Sequence, residues 1–357
     1  MICRKRPGFL DIRSVSGDVA YEVNLGGESA IRSAALDGAG ERLALACWEY
    51  WPHEWASADD VAEAKVGSRL VLFHLATGER RVLCEGLASS PVWFPGEDRL
   101  AFSSGTAVCL ADVGTGRVEE VFEVCEAHEM QVSPDGRGLA FVQWEEGAPR
   151  VGVVDLDTRE GAVYADANLG YCWWDTGTIL YSLEPGLHLL DLASGESRPL
   201  VSDLRALDES GALAALGEAW VRAVRREGGD RYLGYPTPVG DRLHFGAGVM
   251  LPWRRGFLPF MRKRDPGEVH GILSMTRGCT DLRLHHAEML ADAGLVPLNN
   301  GRTLAIHVSR GSRRGPKHCW VFVGEGAESV PEGYGPLPKA AFGVRGDIPV
   351  GDFARPD

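Results

Sequence analysis

The sequence lacks the features that identify several classes of protein. No stretch approaches the roughly 18 consecutive apolar residues of a membrane-spanning helix, so no membrane association is predicted. The eight cysteines form no C-x-x-C pair, which favours free thiols in a reducing compartment over a disulfide framework or a zinc site. The N-terminus, MICRKRPGFLDI, has basic residues without an apolar core behind them, so no secretion signal is predicted. We therefore expect a cytoplasmic protein.

Specific catalytic signatures are also missing. The chain has no G-x-S-x-G elbow, no H-E-x-x-H, no G-x-x-x-x-G-K and no G-x-G-x-x-G after a strand. Each of these motifs places a nucleophile, a metal or a phosphate group in a defined local structure. We predict neither a cofactor nor a metal, and the sequence by itself indicates no reaction.

Positive charge is scarce overall and is unevenly distributed. The formal net charge is −13, which argues against a nucleic-acid binder on electrostatic grounds. From Ala219 to His318, however, 17 Lys and Arg stand against 8 Asp and Glu, a local balance of +9. This asymmetry is typical of a surface that meets an opposite charge. The alternative is a solvated basic face without a partner.

Two short phrases alternate along the chain. The first is a strand, a glycine-containing turn and a second strand, which is a hairpin signature. It occurs at 10–23, 72–83, 109–122, 153–164 and 189–200, and more weakly at 260–273. The second is a strand, a polar turn and a small-apolar strand, at 34–46, 92–102, 130–142, 172–182, 205–216 and 296–308, with a less regular copy near 238–250. Together they predict a four-stranded antiparallel unit that repeats about every forty residues.

A single four-stranded sheet buries little apolar surface, so its copies must stack. The sequence predicts an all-β fold: a β-propeller of seven four-stranded blades in one domain over 1–357, with six or eight blades as alternatives. An N-terminal hairpin at 8–30 is expected to supply the strand that closes the ring and removes its free edge. Residues 336–357 are predicted to be an irregular tail.

Particular phrases resemble known propellers. Val-Ser-Pro-Asp-Gly (132–136) followed by Leu-Ala-Phe (139–141), and Asp-Leu-Ala-Ser-Gly (191–195), resemble the repeats of TolB-type and WD-repeat propellers. The resemblance is strong over 31–203, and its only Trp-Asp dipeptide, Trp174-Asp175, lies in a different strand from that of WD repeats. It implies a propeller that binds through one face and implies no activity.

A long insertion at 47–69 begins with CWEYWPHEW. Loops of this length in compact domains are commonly functional, and its aromatic residues argue against simple disorder. We predict a lid or wall at the mouth of the propeller, with Trp144 on the same face and with contact area supplied by Trp48, Tyr50, Trp51 and Trp55. The alternative is that the tryptophans only cap the ends of blades.

A second long link, 309–318, is basic. Arginine beside aromatic walls suits a carboxylate or phosphate, so Arg310, Arg313, Arg314 and Lys317 are predicted to face the aromatic lid across the mouth. The partner is a small anionic ligand or an acidic protein surface. A solvated loop is the alternative.

A rival hypothesis is a stand-alone propeller enzyme, a lyase, cyclase or hydrolase acting on a small anionic substrate. Histidine titrates near neutrality and suits acid–base work, so the catalytic candidates are His53, His128, Glu129, His285 and His286. The last two lie in 280–294, where Leu282, Met289 and Ala293 recur at helical spacing and predict a short helix.

The binding hypothesis predicts the effect of removing the insertion's aromatic surface. Trp48→Ala together with Trp51→Ala is expected to abolish binding of the ligand or partner and to leave the chain folded. Isothermal titration measures the affinity, and circular dichroism verifies the fold. An unchanged affinity would remove the aromatic lid from the binding site.

Overall fold

The computed structural model describes the backbone of residues 2–6, 9–13, 19–24, 30–48, 68–86, 88–124, 127–145, 148–166, 170–250, 254–255, 262–263, 269–286, 295–297, 303–310 and 317–324. The chain divides into two compact units. The first comprises Met1–Ala165, Val296–Arg302 and Gly326–Asp357, and the second Asp166–Leu295 and Thr303–Glu325. Each unit is described by itself.

The first unit begins with three antiparallel strands and continues with three four-stranded sheets in sequence order. The N-terminal strands are β1 (Ile2–Arg6), β2 (Phe9–Arg13) and β3 (Val19–Asn24). Sheet I has β4 (Ala30–Leu36), β5 (Arg42–Trp48), β6 (Arg69–His74) and β7 (Arg80–Glu85). Sheet II has β8 (Ser89–Trp93), β9 (Arg99–Ser103), β10 (Ala107–Asp112) and β11 (Val118–Glu123). Sheet III has β12 (His128–Val132), β13 (Gly138–Glu145), β14 (Ala148–Asp155) and β15 (Gly161–Asp166).

The second unit holds two more four-stranded sheets, IV and V. Sheet IV has β16 (Tyr171–Asp175), β17 (Thr178–Leu183), β18 (Gly186–Asp191) and β19 (Ser197–Val201). In sheet V the order is β20 (Asp230–Val239), β21 (Arg242–Met250), β24 (Val269–Thr276) and β25 (Arg283–His286), and the small hairpin β22 (Arg254–Arg255) and β23 (Arg262–Lys263) lies between β21 and β24 in the chain. The remaining strands are β26 (Leu295–Pro297), β27 (Thr303–Arg310) and β28 (Lys317–Gly324).

The predicted all-β class and its four-stranded antiparallel unit are confirmed. Within the first unit the first strands of successive sheets are neighbours, since β4 packs with β8 and β8 with β12. Strands β2 and β3 pair antiparallel inside the predicted 8–30 hairpin, with Phe9 opposite Asn24. The blade count of seven, the closing role of this hairpin and the single domain stay predictions.

An aspartate closes the turn between the third and fourth strands in several sheets. Oδ1 of Asp112, Asp155 and Asp191 accepts the backbone N–H three residues further on, at 2.7, 2.8 and 2.8 Å. These backbone hydrogen bonds favour the carboxylate and lower the pKa of all three groups. The recurring Asp three residues before a Thr or Ser is therefore a turn-closing side chain, as expected of a local Asx turn.

The prediction of two strands joined by a turn at 205–216 is wrong. The chain there forms α1 (Leu204–Glu209), a 3₁₀ helix (Ala212–Leu216) and α2 (Glu218–Arg225). Asp203 caps α1 by accepting the N–H groups of Arg205 and Ala206 at 2.7 and 3.0 Å, and the buried residues Leu204, Leu207 and Leu213 join the core of the second unit. Alanine and leucine favour helix over strand. None of the helices in the described ranges is long and apolar enough to cross a membrane.

The helix predicted over 280–294 is also wrong where the structure describes it. Residues Arg283–His286 form β25, which pairs antiparallel with β24. The pairing satisfies backbone groups along β24 that an isolated helix would leave unpaired, and it brings His285 to Ser274. Residues 287–294 lie outside the described residues.

Close packing in sheet III depends on a glycine. Gly152 on β14 faces Phe141 on β13, and the ring of Phe141, which has 0% exposed surface, lies where a Cβ on Gly152 would be. The aromatic ring thus fills the space that a glycine leaves in the strand.

We expect Gly152→Ala to lower the free energy of unfolding by about 1–3 kcal/mol, because the added methyl forces the ring or the backbone to move in a filled core. Gly38→Ala is the matched control, since its Cβ would meet no atom within 4 Å. Urea unfolding followed by circular dichroism gives both values. Equal midpoints for the two variants would contradict the packing of Phe141 on Gly152.

Candidate functional site

Most of the predicted binding residues fall outside what the structure describes. Trp48, Trp144, Arg310, Lys317 and His286 lie on strands, but their side chains are outside the described part. Tyr50, Trp51, His53, Trp55, Arg313 and Arg314 lie outside the described residues altogether. The meeting of the aromatic lid with the basic link stays a prediction.

His128 and Glu129 lie at the start of β12 in the first unit, and both are partly buried. Glu129 has a left-handed backbone with φ 49°, a conformation that often marks functional sites. Ser90 on β8 and Tyr235 on β20 have the same feature, with φ 50° and 55°, beside bulges at the corresponding place. The conformation therefore belongs to the repeated architecture, and the catalytic role of this pair stays a prediction.

His285 lies in a polar network of sheet V, in the second unit. Its Nε2 is 2.7 Å from Oγ of Ser274, and its ring centroid is 5.3 Å from that of His244. His244 and Ser274 stand directly opposite each other on β21 and β24. We call His244, Ser274 and His285 the polar cluster.

The other four-stranded sheets are apolar at the same places. His244 is the third residue of the second strand, and Ser274 is its partner on the third strand. The corresponding pairs are Ala44 with Leu72, Ala101 with Leu110, Ala140 with Val153 and Leu180 with Leu189. These residues are buried, apart from the partly buried Leu72, so apolar side chains are expected at these points. Sheet V therefore has polar residues where the other four-stranded sheets have apolar ones.

His285 also occupies a position that is apolar in other sheets. In sheet V the register shifts between Ile272 and Leu273, which leaves His285 as the bulged residue of the fourth strand. The fourth strands of sheets I, II and IV have the same bulge, and the residues there are Leu83, Val121 and Leu200. Three apolar positions of the repeat are thus polar in sheet V, and all three are joined in one cluster.

Two arginines and one aspartate adjoin the polar cluster. Arg242 donates from Nε to Oγ of Ser274 at 2.9 Å and from Nη1 to Oδ2 of Asp281 at 2.7 Å. Arg283 pairs with the same carboxylate at 2.6 Å. The hydrogen bonds from Arg283 and Arg242 lower the pKa of Asp281. Two guanidinium groups against one carboxylate leave one positive charge beside the cluster.

Both histidines of the cluster are neutral at pH 7. Burial lowers the pKa of His244 to about 4, and repulsion of its protonated ring by a protonated His285 and by Arg242 adds to the shift. Burial and the adjoining arginines Arg242 and Arg283 lower the pKa of His285 to about 4 as well. His244 is only 4% exposed, and its Nδ1 is buried without a hydrogen-bond partner among the described residues. A buried polar atom left unpaired costs stability and is a place to look for a bound group.

A second polar pair lies on the same face of sheet V. Tyr232 on β20 and His270 on β24 flank Gly248 on β21, and the Tyr232 hydroxyl is 3.2 Å from Nδ1 of His270. A Cβ on Gly248 would lie 2.5 Å from that nitrogen, so only glycine allows the two side chains to meet. Burial raises the pKa of Tyr232 to about 12, which keeps its hydroxyl protonated.

Sequence reasoning named His285 but missed His244 and Ser274. The signal was present in the second phrase of the repeat. The segments RLALA (42–46) and DRLAF (98–102) have alanine where DRLHF (241–245) has histidine. Comparing the copies position by position, instead of counting them, would have singled out this sheet.

No family model matches the sequence, and no curated protein matches it significantly. The fold has solved neighbours. An oligogalacturonate lyase in complex with manganese is 13% identical, with a TM-score of 0.55 over 93% of this chain and 85% of that one. TolB from Acinetobacter baumannii is 13% identical with a TM-score of 0.45, over 80% of this chain and only 61% of TolB. The β-propeller domain of the Trilobed protease from Pyrococcus furiosus is 12% identical with a TM-score of 0.45, over 82% of each chain.

The neighbours and the sheets agree on the fold. Five four-stranded antiparallel sheets within the described ranges are of the propeller type, and the TolB-like resemblance stated from the sequence is confirmed at the level of the fold. Fold alone assigns no activity, because propellers serve both binding proteins and enzymes.

The polar cluster makes stability depend on pH. The pKa of both histidines in the folded chain, about 4, lies below the ordinary value of roughly 6.5. Between these values the unfolded chain binds more protons, so stability is complete above about pH 6.5 and is lost as the pH falls towards 4. Each histidine contributes a slope of at most about 1.4 kcal/mol per pH unit.

Urea unfolding at pH 7.5, 6.0 and 5.0 measures this slope. We expect a steep loss of stability in the wild type and a shallower one in His244→Ala combined with His285→Leu. Identical slopes would show that the two imidazoles are not held neutral by the fold.

Proposed function

We propose that the protein binds a small anionic ligand at the polar cluster of sheet V, as a binding propeller. The observation that carries this proposal is the replacement of three apolar positions of the repeat by His244, Ser274 and His285. Polar groups in an apolar core reduce stability unless they are fully hydrogen-bonded. Nδ1 of His244 has no hydrogen-bond partner among the described residues. A sequence keeps such a departure where function requires it.

The charge around the cluster favours an anion. The two positive charges of Arg242 and Arg283 exceed the one negative charge of Asp281. Neutral imidazoles supply N–H donors and do not repel the arginines. The excess of +9 over 219–318 has the same sign. A small ligand is favoured over an acidic protein surface, because a flat partner cannot reach a side chain as buried as His244.

A second candidate function is a lyase that acts on an acidic saccharide. The neutral imidazole of His285 in contact with a serine hydroxyl at 2.7 Å is an arrangement suited to proton transfer, and the structural neighbour with a TM-score of 0.55 is an oligogalacturonate lyase. That neighbour holds manganese. Among the described residues no three His, Cys, Asp or Glu side chains lie together as a metal site.

The test restores the repeat in sheet V. The triple variant His244→Ala, Ser274→Leu and His285→Leu copies Ala44, Leu72 and Leu83 of sheet I. We expect its free energy of unfolding to stay close to that of the wild type, because apolar residues replace both partners of the Ser274–His285 contact, while Nε of Arg242 loses its acceptor. We expect its affinity for galacturonate, galacturonate oligomers and inorganic phosphate to fall at least tenfold. Arg222→Ala, which removes an exposed arginine of α2, is the control that retains affinity.

Two measurements decide between the candidates. Isothermal titration reports binding, and ultraviolet absorbance reports the conjugated double bond that elimination creates in a uronate. Binding without absorbance change supports the binding propeller, and turnover supports the lyase. Equal affinity of the triple variant and the wild type would refute both.

A further inference from the structure

We propose that Ser274 is a positioning residue that holds His285 in the tautomer with its proton on Nδ1. The site then offers a neutral N–H donor to an acceptor atom of its ligand. The role of this donor towards a ligand rests on the proposed function, whereas the tautomer itself follows from the hydrogen bonds of the ligand-free protein.

Arg242 fixes what the serine oxygen can do. A guanidinium group donates hydrogen bonds and accepts none. Its Nε lies 2.9 Å from Oγ of Ser274, while Nη1 is held by Asp281 at 2.7 Å and Nη2 reaches the carbonyl of Ser274 at 3.3 Å. Oγ of Ser274 therefore accepts a hydrogen bond from Arg242.

The single hydroxyl proton of Ser274 must then be directed to another acceptor. Ser274 has 0% exposed surface, so this proton does not face bulk solvent. The other partner of Oγ among the described residues is Nε2 of His285, at 2.7 Å. If Nε2 also carried a proton, the hydroxyl proton would be buried without an acceptor, which folded proteins avoid. The hydroxyl therefore donates to Nε2.

The state of the other ring nitrogen follows. His285 is neutral at pH 7, because burial and the two arginines lower its pKa. A neutral imidazole has one proton, and the hydrogen bond made by one nitrogen determines where that proton lies. With Nε2 accepting, the proton is on Nδ1. His285 is partly exposed, whereas His244 and Ser274 are buried, so this N–H is the donor of the cluster nearest to the surface.

Nuclear magnetic resonance of ¹⁵N-histidine-labelled, ligand-free protein at pH 7.5 tests the assignment, because long-range spectra show which ring nitrogen is protonated. The signals of His285 are identified by their loss in His285→Asn. We expect the Nδ1–H pattern in the wild type and in Ser274→Thr, which keeps the hydroxyl. We expect Ser274→Ala to lose this pattern and to adopt the Nε2–H tautomer that neutral histidine favours in water.

A wild-type spectrum with the proton on Nε2 overturns the inference, and so does an S274A spectrum that equals the wild type. If S274A does not fold, the wild-type spectrum still decides, because it needs only the native chain. Affinity for galacturonate oligomers is measured separately. Absence of binding in the wild type refutes the proposed function, while the ligand-free spectrum continues to decide the tautomer.

Discussion

The burial of the second strand of each four-stranded sheet is the constraint on which the rest of the structure depends. Consecutive residues of a strand point to opposite faces of the sheet, so side chains on both faces of these strands must be accommodated in an apolar interior. In β5, β9 and β13 this requirement is met by runs of leucine, alanine and phenylalanine with almost no exposed surface. The packing of the sheets does not explain a polar residue at the matching positions of another second strand. Sheet V has such a residue.

The same constraint separates scaffold from site in sheet V. Arg242 begins its strand as Arg42 and Arg99 begin theirs, and each pairs with a nearby carboxylate. The arginine is therefore shared with sheets I and II, whereas its carboxylate partner lies before the second strand in those sheets and after the third strand in sheet V. Among the described sheets, the hydrogen bond from this arginine to a serine, and the imidazole that the serine contacts, occur in sheet V alone. Arg242 thus forms an ion pair, as Arg42 and Arg99 do, and it also binds the polar cluster of sheet V.

The sequence predicted the fold better than the site. Hairpins with an aspartate before Thr-Gly or Ser-Gly, such as 109–122 and 189–200, have a local cause and could be recognised from a few adjacent residues. The segment 205–216 could not, because its alternation of polar and apolar residues also fits a helix, and burial of Leu204 and Leu207 against the second unit's core decides between the two. His285 was named for its chemistry alone. Its neighbours His244 and Ser274 lie 41 and 11 positions away in the sequence, and only strand register reveals that they meet.

The equivalence of the sheets also bears on how such a protein can acquire a new activity. Where several copies of one module share the same mechanical task, a single copy can diverge while the others preserve the architecture. The serine and the two imidazoles occur in one module of the five described, and that module keeps the arginine that begins the second strand in sheets I and II. Redundancy among duplicated segments thus leaves room for innovation in one of them, and the least typical copy of an array is where specialisation should be sought first.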